Sequence, residues 1–171
     1  MYQPKMKIVH ANAIGTGTYV DFMIRPATNQ ETGGLMVSFV PQKTVGSLTE
    51  WKRILPTFDY DKKITVKFTV QEVAQIIQVF EGMSKSLSDG KGLFHRSAKG
   101  DTVVCLEHRD EPTPGYLFFV SRKTNDGEHQ KRSIFLSMTE GFMLSTMFKS
   151  GLVFMGFGVP DMWCLSAEPK V

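Results

Sequence analysis

The sequence predicts an α+β fold of two tandem ββββα repeats, forming two antiparallel sheets with packed helices. The first observation is an internal repeat. Lys63-Ile64-Thr65-Val66-Lys67-Phe68-Thr69-Val70-Gln71-Glu72 and Lys131-Arg132-Ser133-Ile134-Phe135-Leu136-Ser137-Met138-Thr139-Glu140 both run an alternating strand into a Ser/Thr-x-x-Glu helix start. Superposing Thr69 on Ser137 also aligns Val66 with Ile134, Phe68 with Leu136, Ile76 with Leu144 and Phe80 with Phe148. The second observation is order: in each copy the strands come first and the helix last, so each helix can cover one sheet face and leave the other open. The third is the change of hydrophobic period, from two in the strands to 3.6 in the helices.

The elements follow in order. Lys7–Ile14 and Tyr19–Arg25 flank Gly15-Thr16-Gly17-Thr18, a hairpin turn in which glycine supplies positive φ. Gly33–Val40 and Lys62–Thr69 are the next strands, the latter with Ile64, Val66 and Phe68 on one face and Lys63, Thr65 and Lys67 on the other. Pro41–Tyr60 between them reads as a long loop, functional or mobile unless Trp51 tucks against the core. Val73, Ile76, Ile77 and Phe80 stripe a helix over Val70–Glu81, which Thr69 and Glu72 start with a capping box and Gly82 ends. The polar Ser84–Gly92 stretch reads as the linker.

The second copy has strands at Gly92–Ser97, Thr102–Arg109, Tyr116–Lys123 and Arg132–Ser137. Turns at Asp110–Gly115 and Thr124–Glu128 separate the last three. Its helix, Met138–Met155, is apolar nearly all round, which predicts burial on more than one side, by both sheets or by another subunit. The expected organisation is one pseudo-symmetric domain over 1–158, with repeat one at about 7–82, a linker at 83–91 and repeat two at about 92–158. The tail, 159–171, contains Trp163 and the acids Asp161 and Glu168.

Composition excludes several classes. The chain has 171 residues, 42% hydrophobic and 22% charged, enough for one compact core. A formal charge of +3 permits a polyanionic partner without requiring one. Cys105 and Cys164 form neither a disulfide framework nor a Cys-x-x-Cys site, which suits a reducing interior. Met1–Ile14 has no apolar run of the secretory kind, and Gly151–Val159 is too short to span a bilayer. A soluble cytoplasmic protein with no membrane partner is expected.

An open sheet face invites a flat, extended ligand. Single-stranded nucleic acid fits, because bases stack on aromatic rings while phosphates seek Lys and Arg. The candidate binding residues are Tyr19, Arg25, Lys63, Lys67, Phe94, Arg96, Tyr116, Phe118, Arg122, Lys123, Lys131 and Phe135. Phe135 is the sharpest of them, since alternation puts it on the wet face with Ser133, where the repeat places it over Lys67. It packs otherwise against a neighbouring strand or subunit. No cofactor, metal or catalytic residue is expected: Cys105 and His108 fall on opposite faces of a strand, and neither a Gly-x-x-x-x-Gly-Lys-Ser/Thr loop nor a Gly-x-Ser-x-Gly elbow occurs. Asp59 and Asp61 read as a solvated turn. The methionines of the last helix serve either core packing or an adaptable partner surface.

The order of these segments, Lys62–Phe80, Gly92–Ala98, Thr102–Glu107, Gly115–Ser121 and Ser133–Gly158, resembles the Whirly and Pur-like single-stranded-DNA-binding superfamily, and Whirly in particular, over roughly Ile8–Gly158. The apolar Phe142–Gly158 segment is similar to the Whirly helix at the centre of a tetramer. The resemblance implies sequence-tolerant binding and protection of single-stranded DNA in replication or recombination, without catalysis, by a homo-oligomer built through the last helix, a tetramer or a dimer. The chain lacks the Lys-Gly-Lys-Ala-Ala-Leu signature of the plant family, and Tyr19–Arg25 stands where it is sought. A start without a transit peptide points to a phage or bacterial member, and the end Leu165–Val171 is not an acidic recruiting tail. Alternatives are an RNA-binding or transcription-coactivator protein, or an oligomeric assembly protein that binds no nucleic acid.

Overall fold

The computed structural model describes residues 5–49 and 51–159. Cys164, Trp163 and the rest of the tail beyond Val159 lie outside the described residues, as do Met1–Pro4. The first repeat comprises β1 (Met6–His10), β2 (Thr18–Arg25), β3 (Gly34–Thr44), β4 (Ser47–Leu48), β5 (Arg53–Ile54), β6 (Thr57–Phe58), β7 (Ile64–Phe68) and α1 (Val70–Phe80). The second comprises β8 (Leu93–Ser97), β9 (Gly100–Arg109), β10 (Gly115–Lys123), β11 (His129–Ser137) and α2 (Met138–Phe157). Among the described residues no helix is long and apolar enough to cross a membrane.

Two antiparallel sheets result, ordered β1-β2-β3-β7 and β8-β9-β10-β11. Their inner faces meet, with the Phe118 ring 4.9 Å from that of Phe39 and 6.4 Å from that of Phe22. All eight positions that the repeat aligns, Val66, Phe68, Ile76, Phe80 and Ile134, Leu136, Leu144, Phe148, are buried in one core. Both capping boxes form: the Thr69 hydroxyl accepts from Glu72 N–H and the Ser137 hydroxyl from Glu140 N–H, while each glutamate reaches back to its cap.

A histidine from the first strand of each repeat reaches the capping glutamate of the other repeat's helix. His10 Nε2 of β1 bonds Glu140 Oε1 at 2.8 Å, and His95 Nε2 of β8 lies 3.3 Å from Glu72 Oε1. Burial pushes the Glu140 carboxyl up, but the Ser137 backbone and hydroxyl and His10 together leave it below the usual carboxylate range.

Helix α2 packs closely because it carries glycines at its contacts. A Cβ at Gly141 would sit 2.3 Å from the Tyr116 ring, and one at Gly151 would sit 2.4 Å from Ile24. Leu144, Phe148 and Met155 complete its buried side. Its far side stays apolar and open, with Phe142 at 73%, Val153 at 58% and Phe157 at 91% exposure. The expected all-round burial therefore does not occur within one chain.

Two connections differ from the sequence expectation. Strand β1 ends at His10 rather than Ile14, because the Asn12 side chain closes the turn onto Thr16 and Gln42 Oε1 accepts from Asn12 N–H and Gly17 N–H. The expected long loop is an extension of β3: β6 returns beside its end, and β4 pairs with β5 beyond it as a hairpin. Trp51, at that hairpin's tip, is 93% exposed rather than tucked in.

Candidate nucleic-acid interface

Strand pairing decides which side chains share a face. In the second sheet, Tyr116, Phe118, Val120 and Arg122 of β10 point inward with Thr102, Val104 and Leu106 of β9 and with Ile134 and Leu136 of β11. The opposite parity makes the outer face: Phe94 and Arg96 of β8, Val103 and Cys105 of β9, Leu117, Phe119 and Lys123 of β10, and Lys131, Ser133 and Phe135 of β11. Each of these residues is at least partly exposed. Phe94 is 58% exposed and Phe135 is partly exposed, its ring lying over Gly115, where a Cβ would sit 2.5 Å from it.

Cations stand over the rings. Lys131 Nζ is 4.8 Å from the centre of Phe119, and Arg96 Cζ is 5.8 Å from that of Phe94. Arg96 also pairs with Asp101 at 3.1 Å, and Arg109 with Glu107. Lys123 and Lys131 have no ion-pair partner among the described residues. Burial and then Glu107 push the Cys105 thiol up, only partly offset by Lys131, so it is a neutral member of the face. The arrangement offers flat apolar surfaces interleaved with positive charge.

The candidate residues divide accordingly. Phe94, Arg96, Lys123, Lys131 and Phe135 lie together on this open face. Tyr116, Phe118 and Arg122 do not, and are corrected to interior roles. The Tyr116 hydroxyl donates to Phe80 O at 2.8 Å, and Phe118 is 1% exposed at the centre of the core. Arg122 donates from Nε to Thr102 Oγ1 at 2.9 Å and from Nη2 to Thr65 O at 3.0 Å, so it caps the free edge of β7 and ties the sheets together. Burial holds the Arg122 pKa below its ordinary value. Reading β10 one residue out of step caused these misplacements, and it missed Phe119 and Leu117. The buried hydroxyl and guanidinium gave no sequence signal, but the pairing of Leu117 with Phe135 identifies the face.

The first sheet is different. Tyr19 is 4% exposed, between Phe58 and Tyr60 with centroids at 5.6 and 5.9 Å. Burial, with Asp21 and Tyr60 beside it, raises its phenol pKa. It is corrected to a packing residue. Arg25 and Lys63 are exposed near this sheet's ends, and Lys67 Nζ donates to Thr32 O at 2.9 Å. These cations flank a face whose centre, Asp21, Ser38 and Val40, is sealed. Lys7 Nζ stands 6.0 Å from the centre of the Tyr19 ring, but that ring is buried, whereas Phe94 and Phe135 of the second sheet are exposed. Cys105 and His108 indeed face opposite sides, and among the described residues no group of three or more His, Cys, Asp or Glu could hold a metal.

No family model matches the chain. No curated protein matches it either. Solved structures do. WHY1 from Arabidopsis thaliana superposes with a TM-score of 0.71 at 16% identity, covering 91% of this chain and 86% of that one. WHY3 from Arabidopsis thaliana gives 0.71 at 15% identity, covering 96% and 94%. The plant transcriptional regulator PBF-2 gives 0.68 at 17% identity, covering 91% and 83%. At these identities the likeness is one of fold: the chain has the Whirly fold over nearly its whole length.

Proposed function

We propose that this chain binds single-stranded nucleic acid, DNA foremost, across the open face of its second sheet, and that it protects the strand without any catalytic step. The observation that carries the reading is the set of Phe94, Phe119 and Phe135 on one uncovered face, with Arg96 and Lys131 held over two of the rings. Every base has an apolar face, so stacking on such rings is tolerant of sequence, and the cations serve the phosphates. The Whirly fold supports the reading, because the resemblance that implies it implies the same ligand. Replication or recombination in a cytoplasm is the setting that fits a protective, sequence-tolerant binder. A homo-oligomer through the exposed side of α2, a tetramer or a dimer, belongs to the same proposal. The fold likeness to PBF-2 favours transcriptional regulation as a second reading.

The test is a binding series on the purified protein with single-stranded DNA, duplex DNA and RNA of several sequences at several salt concentrations. Tighter binding to single strands than to duplex, weakening with salt and varying little with sequence, is expected. Preference for duplex overturns the proposal. Strong preference for one single-stranded sequence favours the regulatory reading, and absence of binding favours an assembly protein.

A further inference from the structure

A cleft lies beside the stacking face, where the two repeats meet at the free edge of β11. It measures about 260 Å³, room for several waters. One wall is the Gly15–Thr18 turn with Pro41 of β3; the other is Lys131, Arg132 and Ser133. Among the described residues no carboxylate lines it. Neither Lys131 nor Arg132 has an ion-pair partner among the described residues.

Arg132 is held there without an anion. Its Nη1 donates to Lys131 O at 2.7 Å, while its Nε is sealed from solvent with no acceptor. That Nε lies beyond a ligand's reach, so what the cleft offers is the outer end of a half-buried guanidinium that one backbone carbonyl holds in place. The opposite wall is rigid, since Asn12 and Gln42 take up the N–H groups of Thr16 and Gly17. It contributes a hydroxyl rather than amides: Thr16 Oγ1 accepts from Asn12 Nδ2 and keeps its own proton to donate. A guanidinium, an ammonium and hydroxyls around a cleft without acids form an oxyanion site.

Lys131 belongs to both places, for its Nζ stands over the Phe119 ring of the stacking face. We infer that the cleft is a phosphate subsite, and that its ligand is a phosphodiester of the strand whose base lies on Phe119. The inference rests on the single-strand reading above. A free phosphate would use the same groups, so the test must separate the two sources.

The full-length chain is titrated with a short oligothymidylate and, separately, with inorganic pyrophosphate, and amide resonances are followed. Gly15, Gly17 and Ser133 report on the cleft; Leu117 and Phe135 report on the face. The oligonucleotide is expected to shift both sets. Arg132→Gln should silence the cleft set, weaken binding several-fold and lower the salt slope by about one, with Arg132→Lys intermediate. Thr16→Asp, on an exposed turn, should weaken binding in the same way and serves if Arg132→Gln does not fold. If only the face set moves, the subsite is overturned and single-strand binding stands. If pyrophosphate alone moves the cleft set, the strand assignment is overturned. If neither probe moves either set, both readings fall.

Discussion

Glu81 and Lys149 occupy the same position in the two repeats, 68 residues apart, and they are bonded to each other. Ser145 Oγ donates to the same Glu81 carboxylate at 3.0 Å. One position earlier, Phe80 and Phe148 are likewise equivalent, and their rings lie 6.4 Å apart. The helices α1 and α2 thus meet along a line where the repeat faces itself, apolar against apolar inside and acid against base outside.

Charge reversal tests that self-facing contact. Glu81→Lys and Lys149→Glu should each lower the melting temperature, and the double exchange should recover most of the loss. Lys149 and Ser145 hold the Glu81 carboxyl below the usual carboxylate range, so its contribution is present above the unfolded carboxylate pKa and is lost as pH falls through the folded one. Thermal melts from neutral to acid pH are the measurement: the gap between parent and Lys149→Ala should close at low pH.

The His10–Glu140 bond has the same sign. Glu140 titrates below its ordinary value, so acid removes its share of stability as pH falls below the unfolded value of roughly 4.3. Glu140→Ala also loses half of a capping box and should cost about 1 kcal/mol at neutral pH. Denaturant titrations from pH 7 downward would show a difference at neutral pH that narrows as acid protonates Glu140.

Adjacent phenylalanines separate binding from folding. Phe119→Ala should leave stability nearly intact and weaken single-strand binding by about 1–3 kcal/mol with the salt slope unchanged. Phe118→Ala, in the core, should cost about 3–5 kcal/mol of stability. Lys131→Ala should lower the salt slope by about one. Anisotropy titrations alongside denaturant curves give both quantities, and equal effects of the two phenylalanine variants would place the interface elsewhere.

Assembly is tested on the uncovered side of α2. Light scattering of the parent at micromolar concentration should exceed the 19.2 kDa of one chain. Phe142→Asp with Val153→Asp should return it to that mass with circular dichroism unchanged. Phe148→Asp should instead unfold the chain, since that ring is 3% exposed within the core.

The repeat, the capping boxes and the core face of β7 were legible because each has a strong local pattern. The period-two strand Ile64–Phe68 admits one parity, whereas Tyr116–Val120 is apolar on both and takes its face only from its neighbours. Interior placement of Tyr116 and Arg122 depends on acceptors more than thirty and fifty residues away, Phe80 O and Thr65 O. The β4–β5 hairpin was invisible because its strands are two residues long. Phe118 and Phe119 are equivalent in the sequence, and only the pairing of Phe118 with Leu106 and Ile134 turns it inward.

The exchange of histidines between repeats bears on how quickly the chain reaches its native state. His10 and Glu140 are 130 residues apart, so this hold on the start of α2 is added to the local capping box only when nearly the whole chain has come together. Contacts of such sequence separation require the loop entropy to be lost before they reward it, which slows folding relative to a chain of two self-sufficient halves. The second half, severed within the linker, lacks the His10 partner of its own capping glutamate. The two pieces mixed should recover structure at a rate that rises with concentration, as a bimolecular reaction does.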